Sequence, residues 1–574
     1  MTSSAGEPAL DDAAAVDAGV NAALLQRNFA LAEHRLREAI TRFGPRPDRL
    51  AMLGQALIRL SRPQEAADAL QAAYNALAQP PLLVPLGIAR LLCDDPHAAL
   101  VALDEAIAQM PENAEAWNAA GLAHTALADD GRAETAFRGA LAASPRFTAA
   151  LANLCDLLLR TQRADEAHVI AARTAHENVD DAGAWFKLGH LRMLQPDVAG
   201  ARDALLRSAR LQSAYSPTYQ NLGILDEWSG DLDSAEIHFR KALSLSDDNA
   251  DARLGLATIL LKRRSAPEGW KLYAEATAGV AKHASRRVPA PRWDGAPMQR
   301  GTLLIDADQG LGDVLQYIRF VPLARARVAR IVVFCDDYRA PLKPLLESMS
   351  AIDAVVDRSA RVQGVVATCN ASELPHLLGL GESAFAATGA YLTPVPAAVE
   401  RWAARVAGLD GVKVGICWGG NPRTDRADAH RIDVRRSIAA RQLASLAGIP
   451  NLTLVSLQKG VPRDAGSALG PRLVDWTDEL VDFAETAALI ANLDLVVSVD
   501  TSIVHCAGAI GKPVWMLDRF DNCWRWGTDV RNPGWYRDLR VFRQPAFGDW
   551  GATVGALQRA LEQRVDAPAH TAPR

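Results

Sequence analysis

The 574-residue sequence has no apolar run approaching about 18 residues, so it contains no segment long enough to span a bilayer as a helix. It also has no excess of positive charge. Lys and Arg number 62 against 67 Asp and Glu, a net charge of -5, which leaves out the basic footprint of a nucleic-acid or anionic-membrane binder. Residues 1–7 lack the basic-then-apolar order of a secretory signal. Cysteine is scarce: there are seven, at positions 93, 155, 335, 369, 417, 506 and 523, with no Cys-x-x-Cys pair. An odd, scattered set disfavours a disulfide framework or a zinc cage, and the expectation is a cytoplasmic protein with reduced thiols. Wholesale disorder is excluded as well, since 49% hydrophobic and 22% charged residues are close to globular averages. At roughly 150 residues per domain the length accommodates about four units, or fewer if part of the chain is a repeat array. Tryptophan is unevenly spread, with 13 in all: four before residue 290 and nine after it.

The first half has a period of 34. Counting Ala114 as position 1, Trp117, Gly121, Ala133, Phe137, Ala140 and Pro145 fall at positions 4, 8, 20, 24, 27 and 32. One step on stand Leu151, Ala167 and Ala171; two steps on, Trp185, Leu188, Gly189, Ala201 and Leu205; three steps on, Tyr219, Leu222, Gly223, Ala235, Phe239 and Ala242. Gly87, Ala99, Leu103, Ala106 and Pro111 continue the phase upstream, and Gly54, Ala66, Leu70 and Ala73 follow after a one-residue slip. This spacing resembles the tetratricopeptide repeat. Small residues at 8 and 20 let two antiparallel helices approach, while large ones at 4, 7 and 24 fill the space between repeats. A single helix pair cannot bury its own apolar face, so stacking is what stabilises such an array. About seven units are expected over residues 13–280, an α-solenoid; a generic helical bundle is the competing reading. Such arrays bind a peptide or protein in a concave groove.

The period stops in the proline-rich stretch 281–300, read as a linker. Short apolar runs separated by helical stretches follow, the pattern of parallel strands in an α/β sheet. Strands are expected at 302–306, 330–334, 365–368, 413–417, 452–456, 493–499 and 513–517, with 351–400 only weakly patterned. A break near Gly408 to Gly411 divides this region into two Rossmann-like halves, 301–407 and 408–565, followed by a tail over 566–574.

Each candidate motif stands just after an apolar run, where α/β sheets place ligand-contacting loops. After the first strand comes Asp306 to Gln316, with Gly310 and Gly312 read as permitting a tight turn and close ligand approach. Asp313 there reads equally as a helix cap. The Asp306-Ala307-Asp308 triplet matches a metal-chelating Asp-x-Asp, a short pattern expected by chance. Farther on, Val499-Asp500-Thr501-Ser502 leads from a strand into a helix whose first turn offers N–H groups, two hydroxyls and a positive dipole end, an anion site of the phosphate-holding kind. His505, one turn past Thr501, is placed to reach the same ligand or to be structural. Between these lie Trp418-Gly419-Gly420-Asn421-Pro422, Arg436-Ser437-Ile438 and Leu457-Gln458-Lys459-Gly460. The charged stretch 424–436 reads as a solvated mobile loop, or as one closing over an anion. The aromatic-rich segments 521–526 and 532–536 suit either a core or a binding face.

Taken in order, Gly-Leu-Gly-Asp at 310–313, Trp-Gly-Gly-Asn-Pro at 418–422, Arg-Ser-Ile at 436–438, Leu-Gln-Lys-Gly at 457–460, Val-Asp-Thr-Ser-Ile-Val-His at 499–505 and Trp-Arg-Trp at 524–526 resemble a bacterial family. Its members fuse tetratricopeptide repeats to a GT-B glycosyltransferase domain related to the lipopolysaccharide heptosyltransferases, and some are flagellin glycosyltransferases. The resemblance implies two facing Rossmann-like domains and transfer from a nucleotide sugar, with no metal and no other cofactor, to a protein acceptor held by the repeats, flagellin being one candidate. It implies Asp313 as general base, and a donor site drawn from Gly310, Gly312, Trp418, Asn421, Arg436, Ser437, Gln458, Lys459, Asp500, Thr501, Ser502 and His505. The alternatives are a lipid- or polysaccharide-directed transferase and a repeat scaffold with an inactive transferase domain.

Overall fold

The computed structural model describes residues 8–195, 197–278, 290–357, 359–423 and 427–566. Contacts divide the chain into two compact units, Met1–Ser213 and Ala214–Arg574.

Among the described residues, sixteen α-helices lie between Pro8 and Ala278, packed as eight consecutive pairs. The local sequence explains them. Asn28, Asp95, Asn113, Asp129, Asp181, Asp197, Asp231 and Asn249 each cap a helix by accepting a backbone N–H of its first turn. The position-8 glycines act by absence of volume. A Cβ on Gly54 would lie 2.4 Å from Leu70, on Gly87 2.5 Å from Leu103, on Gly121 2.4 Å from Phe137 and on Gly189 2.7 Å from Leu205. The large residue at position 24 therefore occupies the space that a side chain at position 8 would need. The spacing counted about seven repeats. The structure fits eight pairs into that stretch, and the first, Pro8–Leu25 with Phe29–Phe43, is irregular: its Gly19 faces Arg35 instead of a large apolar residue.

The second unit holds the last two helix pairs, Ser216–Trp228 with Leu232–Leu245 and Ala250–Lys262 with Ala266–Ala278, followed by two parallel sheets. The first sheet comprises β1 (Met298–Asp306), β2 (Val328–Phe334), β3 (Ala354–Val356) and β4 (Val365–Asn370), in the order β3-β2-β1-β4. The second comprises β5 (Val412–Cys417), β6 (Leu452–Ser456), β7 (Leu495–Val499), β8 (Val514–Asp518) and β9 (Leu539–Arg543), in the order β6-β5-β7-β8-β9. Every residue of β7 and β8 is buried, as strands covered on both faces must be. Two parallel α/β sheets following a helical repeat array make this an α-solenoid joined to a GT-B-type pair of Rossmann-like halves.

Seven strands match the apolar runs. The other two, β3 and β9, sit at sheet edges: one has three residues, and the other has Arg540 and Arg543 interrupting its apolar run. Residues 281–289 of the expected linker lie outside the described residues. The rest of it is packed chain: the backbone of Trp293 donates to Thr368 O at 2.8 Å, its ring is buried, and β1 begins already at Met298. Of the stretch expected as a mobile loop, residues 424–426 are likewise outside, but Ala427–Arg436 is a helix carrying the buried Asp433. The closing helix Trp550–Asp566 covers the second sheet, and the tail from 567 is outside the described residues. No helix among the described residues is long and apolar enough to cross a membrane.

Candidate functional site

β1 ends at Asp306, and the chain turns into the helix Leu311–Tyr317. The left-handed residue in that turn is Gln309, at φ 67°, while Gly310 sits at φ -80°. The two glycines are therefore not there to make the turn. Gly312 serves close packing: a Cβ on it would lie 2.8 Å from His505 Cδ2 and 3.2 Å from Ser502 Cα. It is the point where the first half meets the helix Ser502–Ala509 of the second. Gly312→Ala should force these helices apart and cost about 1–3 kcal/mol, read as a lowered Tm in calorimetry; an unchanged Tm would mean that the seam yields freely. Asp308, from the Asp-x-Asp triplet, accepts from Ser372 N at 3.0 Å and from Ser372 Oγ at 2.5 Å. Burial pushes its carboxyl up to about 6 against those bonds.

Asp313 is not the cap residue itself, which is Gly310, but the third residue of the helix, and its side chain reaches back to the cap. Its Oδ2 accepts the Gly310 N–H at 2.9 Å, the cap contact, and its Oδ1 pairs with the Arg525 guanidinium. Arg525 belongs to the segment after β8, so this ion pair ties the two halves together. Burial opposes the Arg525 charge, but Asp313, Cys523, Tyr317 and Tyr273 together hold its guanidinium well above the ordinary value. Arg525 lay inside the Trp-Arg-Trp motif but was not singled out, because nothing local marks it as the partner of a residue 212 positions away.

The second motif forms as expected at its start. Thr501 caps the helix, its Oγ1 accepting Ile503 N at 3.3 Å and lying 3.1 Å from Ser498 Oγ. His505 goes elsewhere. One turn deeper, it stacks on Trp526 with centroids 5.4 Å apart, bonds Tyr536 Oη through Nδ1 at 2.8 Å and packs against Gly312. Burial pulls it down to about 4 despite Asp500 and Asp313, so it is neutral at neutral pH and brings no positive charge to an anion.

A cavity of about 540 Å³ opens at the C-terminal ends of β5, β6 and β7, facing the turns after β1 and β2. Leu311 and Pro341 line it from the first half. Thr501 to Ile503, Gly419 to Pro422, Gln458 to Gly460 and Leu480 to Phe483 line it from the second. Gln458 is a staple of the wall. Its Oε1 accepts Trp418 N at 2.9 Å and Gly419 N at 2.7 Å, and its Nε2 donates to Gly419 O and Lys459 O, both at 3.0 Å. Lys459 directs its ammonium at the carbonyl of Leu480 across the cavity wall. Ser437 Oγ accepts Gly420 N at 3.2 Å, and Arg436 pairs with Asp433 at 2.9 Å, both behind the glycine loop.

The structure thus brings five of the sequence-named residues to the cavity: Asn421, Gln458, Lys459, Thr501 and Ser502. Gly310, Gly312, Asp313, Arg436, Ser437, Asp500 and His505 do not line it, and Trp418 is core, its indole N–H donated to Pro462 O at 2.9 Å. Leu480 to Phe483 were missed. The available signal was Asp482 three residues before Glu485 at the start of an apolar run, a helix-start pattern, and Asp482 does cap the helix Phe483–Ala491 by accepting Glu485 N at 2.9 Å.

Residues 480–517 match the model of glycosyltransferase family 9 (heptosyltransferase), and residues 18–81 match a tetratricopeptide repeat model. The first match spans the Leu480 wall and the Thr501 helix start; Asp313 and the glycine loop lie outside it. Protein FlbA of Caulobacter vibrioides is 26% identical over 437 residues, 71% of this chain and 72% of that protein. Among solved structures, a tetratricopeptide repeat protein from Parabacteroides merdae is similar at 17% identity and TM-score 0.36, covering 44% of this chain and 99% of that one. Yeast Tom70 is similar at 14% identity and TM-score 0.39, covering 46% of this chain and 57% of that one. The chain carries N-terminal tetratricopeptide repeats and a glycosyltransferase family 9 segment.

Proposed function

We propose that this protein transfers a sugar from a nucleotide-sugar donor to a Ser or Thr hydroxyl of a protein recruited by the repeat array, with flagellin the first acceptor to try. The observation that carries the reading is the coincidence of the cavity with the family 9 segment: the first turn of the helix Ser502–Ala509 borders the cavity and lies inside residues 480–517. A helix N-terminus with a hydroxyl cap suits the donor's phosphates, and the Lys459 ammonium adds charge to the same wall. Asn421, which lines the cavity on the loop that Gln458 holds, is the residue we assign to the donor's hydroxyls. Asp313 shares its first helical turn with Leu311, which lines the cavity.

In the proposed step Asp313 takes the proton of the acceptor hydroxyl as that oxygen bonds to the anomeric carbon. The bond from that carbon to the donor phosphate breaks, and the nucleotide leaves with the electron pair, stabilised by the helix N-terminus and Lys459. These groups supply the charge a metal would otherwise carry, so transfer should persist in EDTA.

The test is to incubate the full chain with flagellin and a panel of UDP, GDP, ADP and CMP sugars and to read intact protein mass. A gain of one sugar mass is expected with one donor. Nucleotide release without protein modification would redirect the reading to a lipid or polysaccharide acceptor. Absence of nucleotide binding in calorimetry would leave a scaffold.

A further inference from the structure

The segment between β8 and β9 is almost without regular structure: one 3-10 turn, Trp524–Trp526, then left-handed glycines at Gly527 and Gly534. Three side chains of the last helical pair hold it. Lys262 Nζ donates to Asn522 O at 2.9 Å, and Arg264 Nη2 donates to Pro533 O at 2.8 Å and to Arg525 O at 3.3 Å. Trp270 packs on Trp524 with centroids 5.6 Å apart. Arg264 has no carboxylate partner among the described residues. Its guanidinium lies 4.0 Å from the Phe385 ring centroid and otherwise meets only carbonyls. A part-buried cation without a counter-charge is costly to keep, so its placement points to the segment it grips.

That segment delivers Arg525. The guanidinium braces one turn of the helix Leu311–Tyr317 at both ends: Nε donates to Gln316 Oε1 at 2.7 Å and Nη2 to Asp313 Oδ1, while Nη1 donates to Cys523 Sγ at 3.1 Å. With Gly310 N–H on Oδ2, the carboxylate plane of Asp313 is held from two sides.

We propose that Arg525 is a positioning residue for Asp313, and that the last repeat, through Arg264, sets Arg525 in place. This rests on the reading of Asp313 as the proton acceptor. The final helical pair is then part of the transfer machinery as well as the end of the array. Displacement of a reacting group by about 1 Å costs on the order of 100-fold in rate without weakening donor binding.

The experiment uses the full chain with Arg525→Ala, Arg525→Lys and Arg264→Met, measuring kcat, donor KM, nucleotide Kd and Tm. Arg525→Ala should lose about 100-fold in kcat with nucleotide Kd within about twofold. Arg525→Lys, which keeps the charge but not the planar fork, should retain part of the rate. Guanidinium at non-denaturing concentration should restore about tenfold to Arg525→Ala, where equal sodium chloride does not. Arg264→Met should lower kcat by about tenfold in the same sense. Wild-type kcat in Arg525→Ala, a loss confined to KM, or failure of guanidinium rescue would overturn the positioning role. Full activity in Asp313→Asn would instead remove the base reading, and a wild type that turns over no donor would remove the function and this inference with it.

Discussion

Asp313→Asn should lower transfer by about 100- to 10,000-fold while leaving nucleotide Kd nearly unchanged. The amide matches the carboxylate in shape, so the helix Leu311–Tyr317 keeps its place, but it takes no proton at neutral pH. The substitution also cannot satisfy both neighbours. A carboxylate accepts from Gly310 N–H on one oxygen and from Arg525 on the other, whereas an amide presents one acceptor and one NH₂. One contact becomes donor against donor, and Arg525, whose side chain is only 12% exposed, loses its counter-charge. A lowered Tm is expected beside the kinetic loss, and the two are separated by measuring single-turnover rates well below the variant's Tm. Transfer at the wild-type rate would assign the proton to another group.

The second large effect concerns where the chain is cut. Removal of residues 1–213 should leave a folded protein that binds nucleotide but no longer modifies a protein acceptor. Removal of residues 1–278 should leave one that does not fold. The difference lies in the last two helix pairs. Trp270 is 1% exposed and sits among Phe385, Trp524 and Trp535, with centroids at 5.3, 5.6 and 6.5 Å, and its Nε1 donates to Gly381 O at 3.1 Å. Tyr273 adds contacts to Trp524 at 5.4 Å and Tyr317 at 6.5 Å. Loss of a buried tryptophan side chain alone costs about 3–5 kcal/mol, against about 5–15 kcal/mol for a whole domain. The longer deletion also exposes Phe385, Trp524 and Trp535 together and frees the segment that carries Arg525. Circular dichroism melts and nucleotide calorimetry on the two truncations check this. A cooperative melt and normal nucleotide binding after removal of 1–278 would show these two helix pairs to be dispensable.

Much of the architecture was legible in the linear order of residues, because the forces that set it are local. The pairing of Gly121 with Phe137, or Gly189 with Leu205, repeats at fixed spacing since each repeat solves the same packing problem. Apolar runs mark β7 and β8 because strands covered on both faces admit a charge only where it is paired, as Asp518 at the end of β8 is with Arg543. Helix starts at Asn113, Asp129 and Thr501 announce themselves through the side chain that caps them. Even the halves of the α/β region and the loops that could face a ligand follow from where those runs end.

The cavity itself was decided by tertiary packing. His505 follows Thr501 by one turn, yet the crowding of Gly312, Trp526 and Tyr536 turns it inward and keeps it neutral. Leu480 to Phe483 carry no chemical signature but form a wall. Arg525 meets Asp313, and Arg264 meets Arg525, because sheets and helices far apart in sequence converge there. Periodicity records what each residue does with its neighbours three or four places away. A binding site is assembled from strand ends and loops hundreds of residues apart, and only their packing says which side chains share the same space.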